Sequence, residues 1–296
     1  MGCKIFIFVY PIISVYLFIH FFRYRRVVTD SKERLRKYNA NTAWLSYGKM
    51  TYIDRGNGET VLSVHEIFGG YDQAYESAEL FKDEYRIIAP SRFGYLGSDV
   101  YGDGSPEYQA QAYIELLDML GIDSAFVLAA SVGGTAAFRL ALDYPERIKG
   151  LIFYSAAMPY KTKPVKYAEY AGPPAFVCND YLMFVFKPLF KLLLGMDNKT
   201  VNEMLPLRER KEGVILDSKL TNVDMARNFG KYCVEDLKVP SLVFQPEDDR
   251  LSDYDKAVAG AYRLPECTFV SFKNGGHLLE GHDNEIRAAV CEFCKK

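Results

Sequence analysis

Six short apolar runs, each closed by turn residues and separated by longer amphipathic stretches, constrain this chain more than any other feature. They are Thr60–Val64, Arg86–Ala89, Ala125–Ala129, Gly150–Tyr154, Ser241–Phe244 and Thr268–Phe272. Apolar runs without polar alternation are buried on both faces, as strands of a parallel sheet are. Between them, Tyr108–Leu120 carries Tyr113, Leu116, Leu117 and Leu120 on one stripe, and Thr135–Tyr144 follows a glycine pair with helical spacing. Parallel neighbours need a crossover that covers the sheet, so the alternation implies an α/β fold with helices on both faces of a mostly parallel sheet. Residues 157–236 break the rhythm. They show no strand pattern and contain the aromatic run Tyr181–Phe186. The expected organisation is a core of residues 46–156 and 237–296, with residues 157–236 as a helical cap inserted over it.

At 296 residues and 49% hydrophobic, the chain can bury a full core without disulfide or metal staples. A net charge of −2 supplies no basic field for a phosphate backbone, which excludes nucleic acid as an expected partner. The charge is split, however. Arg23, Arg25, Arg26, Lys32, Arg34, Arg36 and Lys37 cluster near the N-terminus against only Asp30 and Glu33. Ahead of them, Ile5–Phe22 is a stretch of 18 residues without a formal charge at neutral pH. As a helix it would extend about 27 Å, close to the thickness of a bilayer's hydrocarbon core. No small-residue cleavage site follows, so the stretch reads as a retained single-pass anchor and not a signal peptide. Residues 1–29 are thus expected to be a transmembrane anchor with a basic flank, and residues 30–45 a juxtamembrane linker. The positive-inside rule then places the catalytic body in the cytoplasm, tethered to the membrane. Cys3 at the membrane edge is a candidate for acylation. The six cysteines show no framework spacing, and Cys291-x-x-Cys294 has no second pair to complete a zinc site, so no metal is expected.

Chemistry enters at Ala129-Ala130-Ser131-Val132-Gly133-Gly134. Small residues two before and two after a serine, between a strand and a helix, permit a tight turn that lifts the hydroxyl above the sheet. The usual form is G-x-S-x-G, and Ala129 stands in place of the first glycine. A serine nucleophile needs a base. Of four histidines, His20 lies in the N-terminal stretch, His65 ends an early strand, and His282 reads as surface. His277, in Asn274-Gly275-Gly276-His277-Leu278 just past the last strand, reaches the same sheet edge as Ser131. The loop Gln245–Ser252 also opens there and offers Asp249 as the carboxylate partner, with Asp248 the alternative. Asp253 fits a helix N-cap.

With nucleophile, acid and base each following a strand, in that order, the chain resembles the α/β-hydrolase fold family over most of residues 46–296. Within it, the chain looks most like the esterase, lipase and meta-cleavage-product hydrolase branch. Ser91–Ser98 after the fourth strand and Asp143–Ile148 after the helix that follows Ser131 are supporting marks. The resemblance implies that Ile67 and Val132 supply backbone N–H groups to an oxyanion hole, and that Ser131, Asp249 and His277 form the catalytic triad. The family's His-Gly-x-x-Gly-Gly loop stands here as His65-Glu66-Ile67-Phe68-Gly69-Gly70. Glu66 in place of glycine brings a carboxylate whose expected places are beside a developing oxyanion, which it would oppose, beside His277, or turned away and paired with an arginine.

The implied activity is that of a serine hydrolase acting on a carboxylic ester through an acyl-enzyme, with no cofactor. Aromatic and leucine residues of the insertion, including Phe176, Tyr181, Phe184, Phe186, Phe190 and Leu192–Leu194, would line an acyl pocket or form the insertion's own core. With a membrane tether, a small-molecule or lipid ester such as an acylglycerol is the expected substrate. Two rivals remain at this stage. One keeps the triad but cleaves a carbon–carbon bond, as meta-cleavage-product hydrolases do, or makes a peracid. The other is an inactive relative serving as a receptor or membrane scaffold. The charged run Arg208–Glu212 reads as an exposed turn.

Overall fold

The computed structural model describes the backbone of residues 2–295, and their side chains except those of residues 2–14, 16, 17, 191 and 193. Eight strands form one sheet: β1 Asn41–Leu45, β2 Gly48–Arg55, β3 Thr60–Val64, β4 Arg86–Pro90, β5 Ala125–Ala130, β6 Ile148–Tyr154, β7 Ser241–Pro246 and β8 Cys267–Phe272. Their spatial order is β1-β2-β4-β3-β5-β6-β7-β8. All six sequence-derived runs are strands, and from β4 to β8 the pairing is parallel. The helices are α1 Gly2–Lys37, α2 Tyr71–Ala78, α3 Pro106–Met119, α4 Gly133–Asp143, α5 Asp180–Leu194, α6 Asn198–Glu203, α7 Lys211–Leu216, α8 Asn222–Arg227, α9 Tyr254–Ala261 and α10 Asp283–Phe293.

The core lies on both faces of the sheet, as the two-sided apolar strands require. One face packs against α3, α4 and α9 through residues such as Tyr113, Phe138, Phe153 and Val243. The other packs against α2 and α10 through Ala74, Leu128, Phe244 and Val290. Every residue of β3, β5 and β7 is buried. The strand order places β3, β5 and β7 with their C-terminal ends on one edge, where the loops carrying Glu66, Ser131 and Asp249 emerge. Asp253 caps α9, its side chain accepting from the Lys256 N–H at 2.9 Å.

Three expectations require correction. Among the described residues no helix is long and apolar enough to cross a membrane. This overturns the anchor expected over Ile5–Phe22, and with it the single-pass membrane localisation, the orientation and the membrane as partner. The stretch is the first part of a 36-residue helix that continues without a break into its charged half. That helix docks on protein: the His20 and Tyr24 rings pack edge-on or tilted against Tyr181 and Phe184 of α5, and Leu35 is buried. Cys3 lies outside the described side chains. Second, the linker expected at residues 30–45 is instead the end of α1 and strand β1. β1 and β2 are an antiparallel hairpin, and β2 also pairs antiparallel with β4. Third, the Arg208–Glu212 run is not simply an exposed turn. Arg210 is fully buried, its guanidinium donating to both Asp72 carboxylate oxygens at 3.1 and 2.7 Å.

Candidate active site

Ser131 sits between β5 and α4 with φ of +48°, in the left-handed region where a side chain is strained. The turn is held from both sides. Ser131 N–H donates to the Tyr154 carbonyl at 3.0 Å, and its own carbonyl accepts from Ala157 and Gly134 at 2.8 and 3.1 Å. Two residues on, Gly133 has no room for a side chain. A Cβ there would meet the Val64 and His65 carbonyl oxygens at 2.7 and 2.9 Å. Ala129, on the other side of the turn, is accommodated with no exposure. Ser131 is half-buried, and its hydroxyl makes no hydrogen bond among the described residues.

His277 stands on the loop after β8, and its Nδ1 lies 2.8 Å from Asp249 Oδ2. Both side chains are nearly or fully buried. Asp249 is fixed by three further donors: Leu251 and Ser252 N–H at 2.8 and 3.0 Å, and Gln245 Nε2 at 3.1 Å. Burial would raise its pKa, but the His277 contact and the two backbone donors outweigh it and hold the carboxylate below its ordinary range. Asp248 has a different place: its Oδ1 accepts from Gly276 N–H at 2.9 Å and braces the histidine loop. The geometry thus selects Asp249 over Asp248 as the partner of His277. With Nδ1 turned to Asp249, His277 presents Nε2 to the interior.

The carboxylate nearest that nitrogen is Glu66, whose Oε2 lies 3.9 Å from His277 Nε2. Burial disfavours charge on Glu66 and raises its pKa, although His277 pulls it down. Burial likewise opposes protonation of His277. The Asp249 hydrogen bond and the charges of Asp249 and Glu66 prevail, so the imidazole pKa is raised. The neighbouring His65 behaves oppositely. It is fully buried, its Nε2 accepts from Arg92 N–H at 2.9 Å and its Nδ1 faces the Glu66 carbonyl at 2.7 Å. Burial and the Arg92 charge hold it neutral, so it serves as a brace for the loop. The N–H groups of Ile67 and Val132 donate to no protein acceptor among the described residues.

Ser131, Val132, Ile67, Glu66 and His277 share one cavity of about 720 Å³. Its remaining wall is mostly apolar, with Phe186, Leu189, Phe190 and Leu194 of α5, Met204 and Leu251. Of the insertion residues singled out from sequence, Phe186, Phe190 and Leu194 face the cavity, whereas Phe184 is buried beside α1 and Phe176 is 67% exposed. The described lining contains no lysine or arginine. His282 immediately precedes α10 without a capping side-chain hydrogen bond and stacks on Phe272, away from this cavity. Among the described residues no group of three or more His, Cys, Asp or Glu is gathered to hold a metal ion. What sequence reasoning missed is the pair of buried ion bridges that seat the insertion, Arg210–Asp72 and Arg92–Asp217, the latter at 2.6 Å.

A serine on a strained strand-to-helix turn, sharing a cavity with a histidine paired to an aspartate at the C-terminal edge of such a sheet, defines a class. The chain belongs to the α/β-hydrolase fold family. The family model described as alpha/beta hydrolase fold matches residues 59–188. YcgS of Bacillus subtilis strain 168, an uncharacterised hydrolase, is 34% identical over 82% of this chain and 93% of its own length. The 2-hydroxy-6-oxo-6-phenylhexa-2,4-dienoate hydrolase of Burkholderia cepacia is 26% identical over 80% and 87%. Among solved structures, an esterase from Exiguobacterium antarcticum superposes with a TM-score of 0.69 at 17% identity, covering 86% of this chain and 99% of that one. That likeness is one of fold.

Proposed function

We propose that the protein is a serine hydrolase that cleaves carboxylic esters with an apolar acyl group, lipophilic in the manner of an acylglycerol. The observation that carries this reading is Ser131 on its strained turn, sharing an apolar cavity with a histidine whose other nitrogen is held by Asp249. In this reading His277 Nε2 takes the Ser131 proton as Oγ attacks the ester carbonyl. The Ile67 and Val132 N–H groups receive the oxyanion, and Asp249 stabilises the imidazolium. His277 then protonates the departing alkoxide, and water releases the acid by the reverse sequence. Residues 157–236 act as a cap over the core of residues 46–156 and 237–296, with α5 supplying the acyl-facing wall.

A second reading, carbon–carbon cleavage of a dienone acid, is favoured by the activity for which the Burkholderia cepacia relative is named. Its substrate is an anion. The described cavity lining offers Glu66 and no lysine or arginine to receive one, so the ester reading is preferred.

Labelling with a fluorophosphonate tests the proposal. The wild type should gain the phosphonyl group at Ser131 with loss of HF, and Ser131→Ala should gain none and lose at least about 1,000-fold in ester turnover. A folded wild type that resists the probe would overturn it and bring the receptor reading forward.

A further inference from the structure

The alkoxide that departs from the tetrahedral intermediate on Ser131, leaving the acyl-enzyme behind, must collect its proton from His277 Nε2, and so must lie within about 3 Å of that atom. Glu66 Oε2 is already 3.9 Å from it. A substituent two or three bonds beyond the leaving oxygen therefore comes to lie beside the Glu66 carboxylate. Among the described residues no lysine or arginine forms an ion pair with that carboxylate, whose one charged neighbour is His277 when protonated. The nearest guanidinium, Arg92, is held by Asp217 at 2.6 Å and reaches only the Glu66 backbone oxygen, at 3.4 Å. No described residue donates a hydrogen bond to the Glu66 side chain.

The surroundings divide by chemistry at this point. On the Ser131 side lies the apolar cavity. On the other side, Glu66 and His277 also line a second cavity of about 500 Å³, whose wall is the more polar of the two, mixing acidic side chains with Leu80, Leu278, Leu279 and Ile286. It carries Asp83 and Asp283, while its two cations are engaged by carboxylates, Lys82 by Glu79 at 3.0 Å and Arg287 by Glu84. An acyl chain and a positively charged head would each meet a matching environment, with the scissile bond between them.

Resting on the serine-hydrolase reading above, we propose that Glu66 is a specificity-determining residue that selects esters whose leaving group is a cationic amino alcohol. The acyl chain occupies the α5 side of the apolar cavity, and the ammonium lies against the Glu66 carboxylate at the mouth of the polar one. The same carboxylate repels anionic leaving groups. This turns the departure of Glu66 from the family's glycine into a functional one: the charge that opposes a bare oxyanion is offset when the substrate brings its own cation.

The test compares hexanoylcholine with neohexyl hexanoate, in which carbon replaces the ammonium nitrogen at nearly the same shape. For the wild type, kcat/KM should favour the choline ester by about tenfold or more, after allowance for solvent screening. In Glu66→Gln that ratio should fall toward one. Fluorophosphonate labelling of Ser131 on the same preparations reports that each protein is folded and its nucleophile active. If both proteins label and the wild-type ratio is near one, or persists in Glu66→Gln, the inference fails alone. Labelling without turnover of either ester overturns it equally. A wild type that neither labels nor turns over any ester overturns the serine-hydrolase reading, and this inference with it.

Discussion

At Ser131 the chain accepts local strain that only its neighbours make tolerable. A left-handed φ at a non-glycine residue persists because the Tyr154, Ala157 and Gly134 backbone contacts fix both sides of its peptide. His277, by contrast, is governed by charge. It must be neutral to accept the serine proton, so activity should rise as pH climbs through its pKa. Two carboxylates face it, Asp249 from the loop after β7 and Glu66 from the loop after β3, and the nearest guanidinium beyond Glu66 is that of Arg92. Their combined effect sets the pKa above the ordinary imidazole value of about 6.5. Replacing Glu66 by Gln removes one stabilising charge from the imidazolium, so the acidic limb should move to lower pH. The check is kcat/KM on a neutral ester from about pH 5 to 9. A midpoint that stays in place, or rises, would show that Glu66 does not act on His277.

At the scale of elements, the site depends on how closely α4 approaches β3. Gly133 opens α4 against the Val64 and His65 carbonyls, and both obstacles are backbone. Gly133→Ala should therefore push the end of β3 aside, costing about 1–3 kcal/mol. Because the Glu66–Ile67 loop continues from β3, probe labelling of Ser131 should slow as well. Gly230→Ala, where a Cβ meets nothing within 4 Å, is the control and should leave thermal stability near the wild-type value. Comparable melting of the two variants would show that β3 yields freely. These same elements explain what could be read in advance. Ser131 and Asp249 were legible because they follow apolar runs that are parallel strands buried throughout, β5 and β7, and His277 because it follows the run of β8, a parallel edge strand of which only Phe272 is buried. The β1–β2 hairpin was not. Its strands lie at or near the sheet edge and carry polar residues such as Asn41, Thr42 and Lys49, so neither is an apolar run and β1 buries only Ala43 and Leu45. The continuation of the N-terminal apolar stretch into a protein-docked helix was likewise hidden, because its partners Tyr181 and Phe184 come from α5, far along the chain.

Across the whole molecule, a single carboxylate joins three segments that sequence order keeps apart. Asp72 of α2 is fully buried and receives Arg210 from the insertion, 138 residues away, at 2.7 Å and Arg34 from α1 at 2.9 Å. Arg210 also donates to the Phe68 carbonyl at 3.0 Å, which ties the insertion to the loop that carries Glu66 and Ile67. In sequence, Arg210 lies among charges that look solvated, and nothing local announces a partner so distant. Burial alone would raise the Asp72 pKa, but Arg210 and Arg34 outweigh it and lower the value. A depressed carboxylate contributes stability that is present above the ordinary aspartate pKa of about 3.9 and lost as pH falls through the lower folded value. The network therefore stands intact at neutral pH. Arg210→Met removes one cation and leaves Asp72 buried with Arg34 alone, at an expected cost of about 3 kcal/mol in urea unfolding at pH 7. Replacing Asp72 by Leu in the same chain removes the stranded charge and should recover part of that loss, since apolar replacements of buried pairs are often neutral. A single variant within about 1 kcal/mol of wild type would mean that Arg34 suffices for Asp72. Residues 157–236 would then be held to the core chiefly by apolar packing, in the cluster that contains Phe68, Met204 and Leu207, and not by this ion bridge.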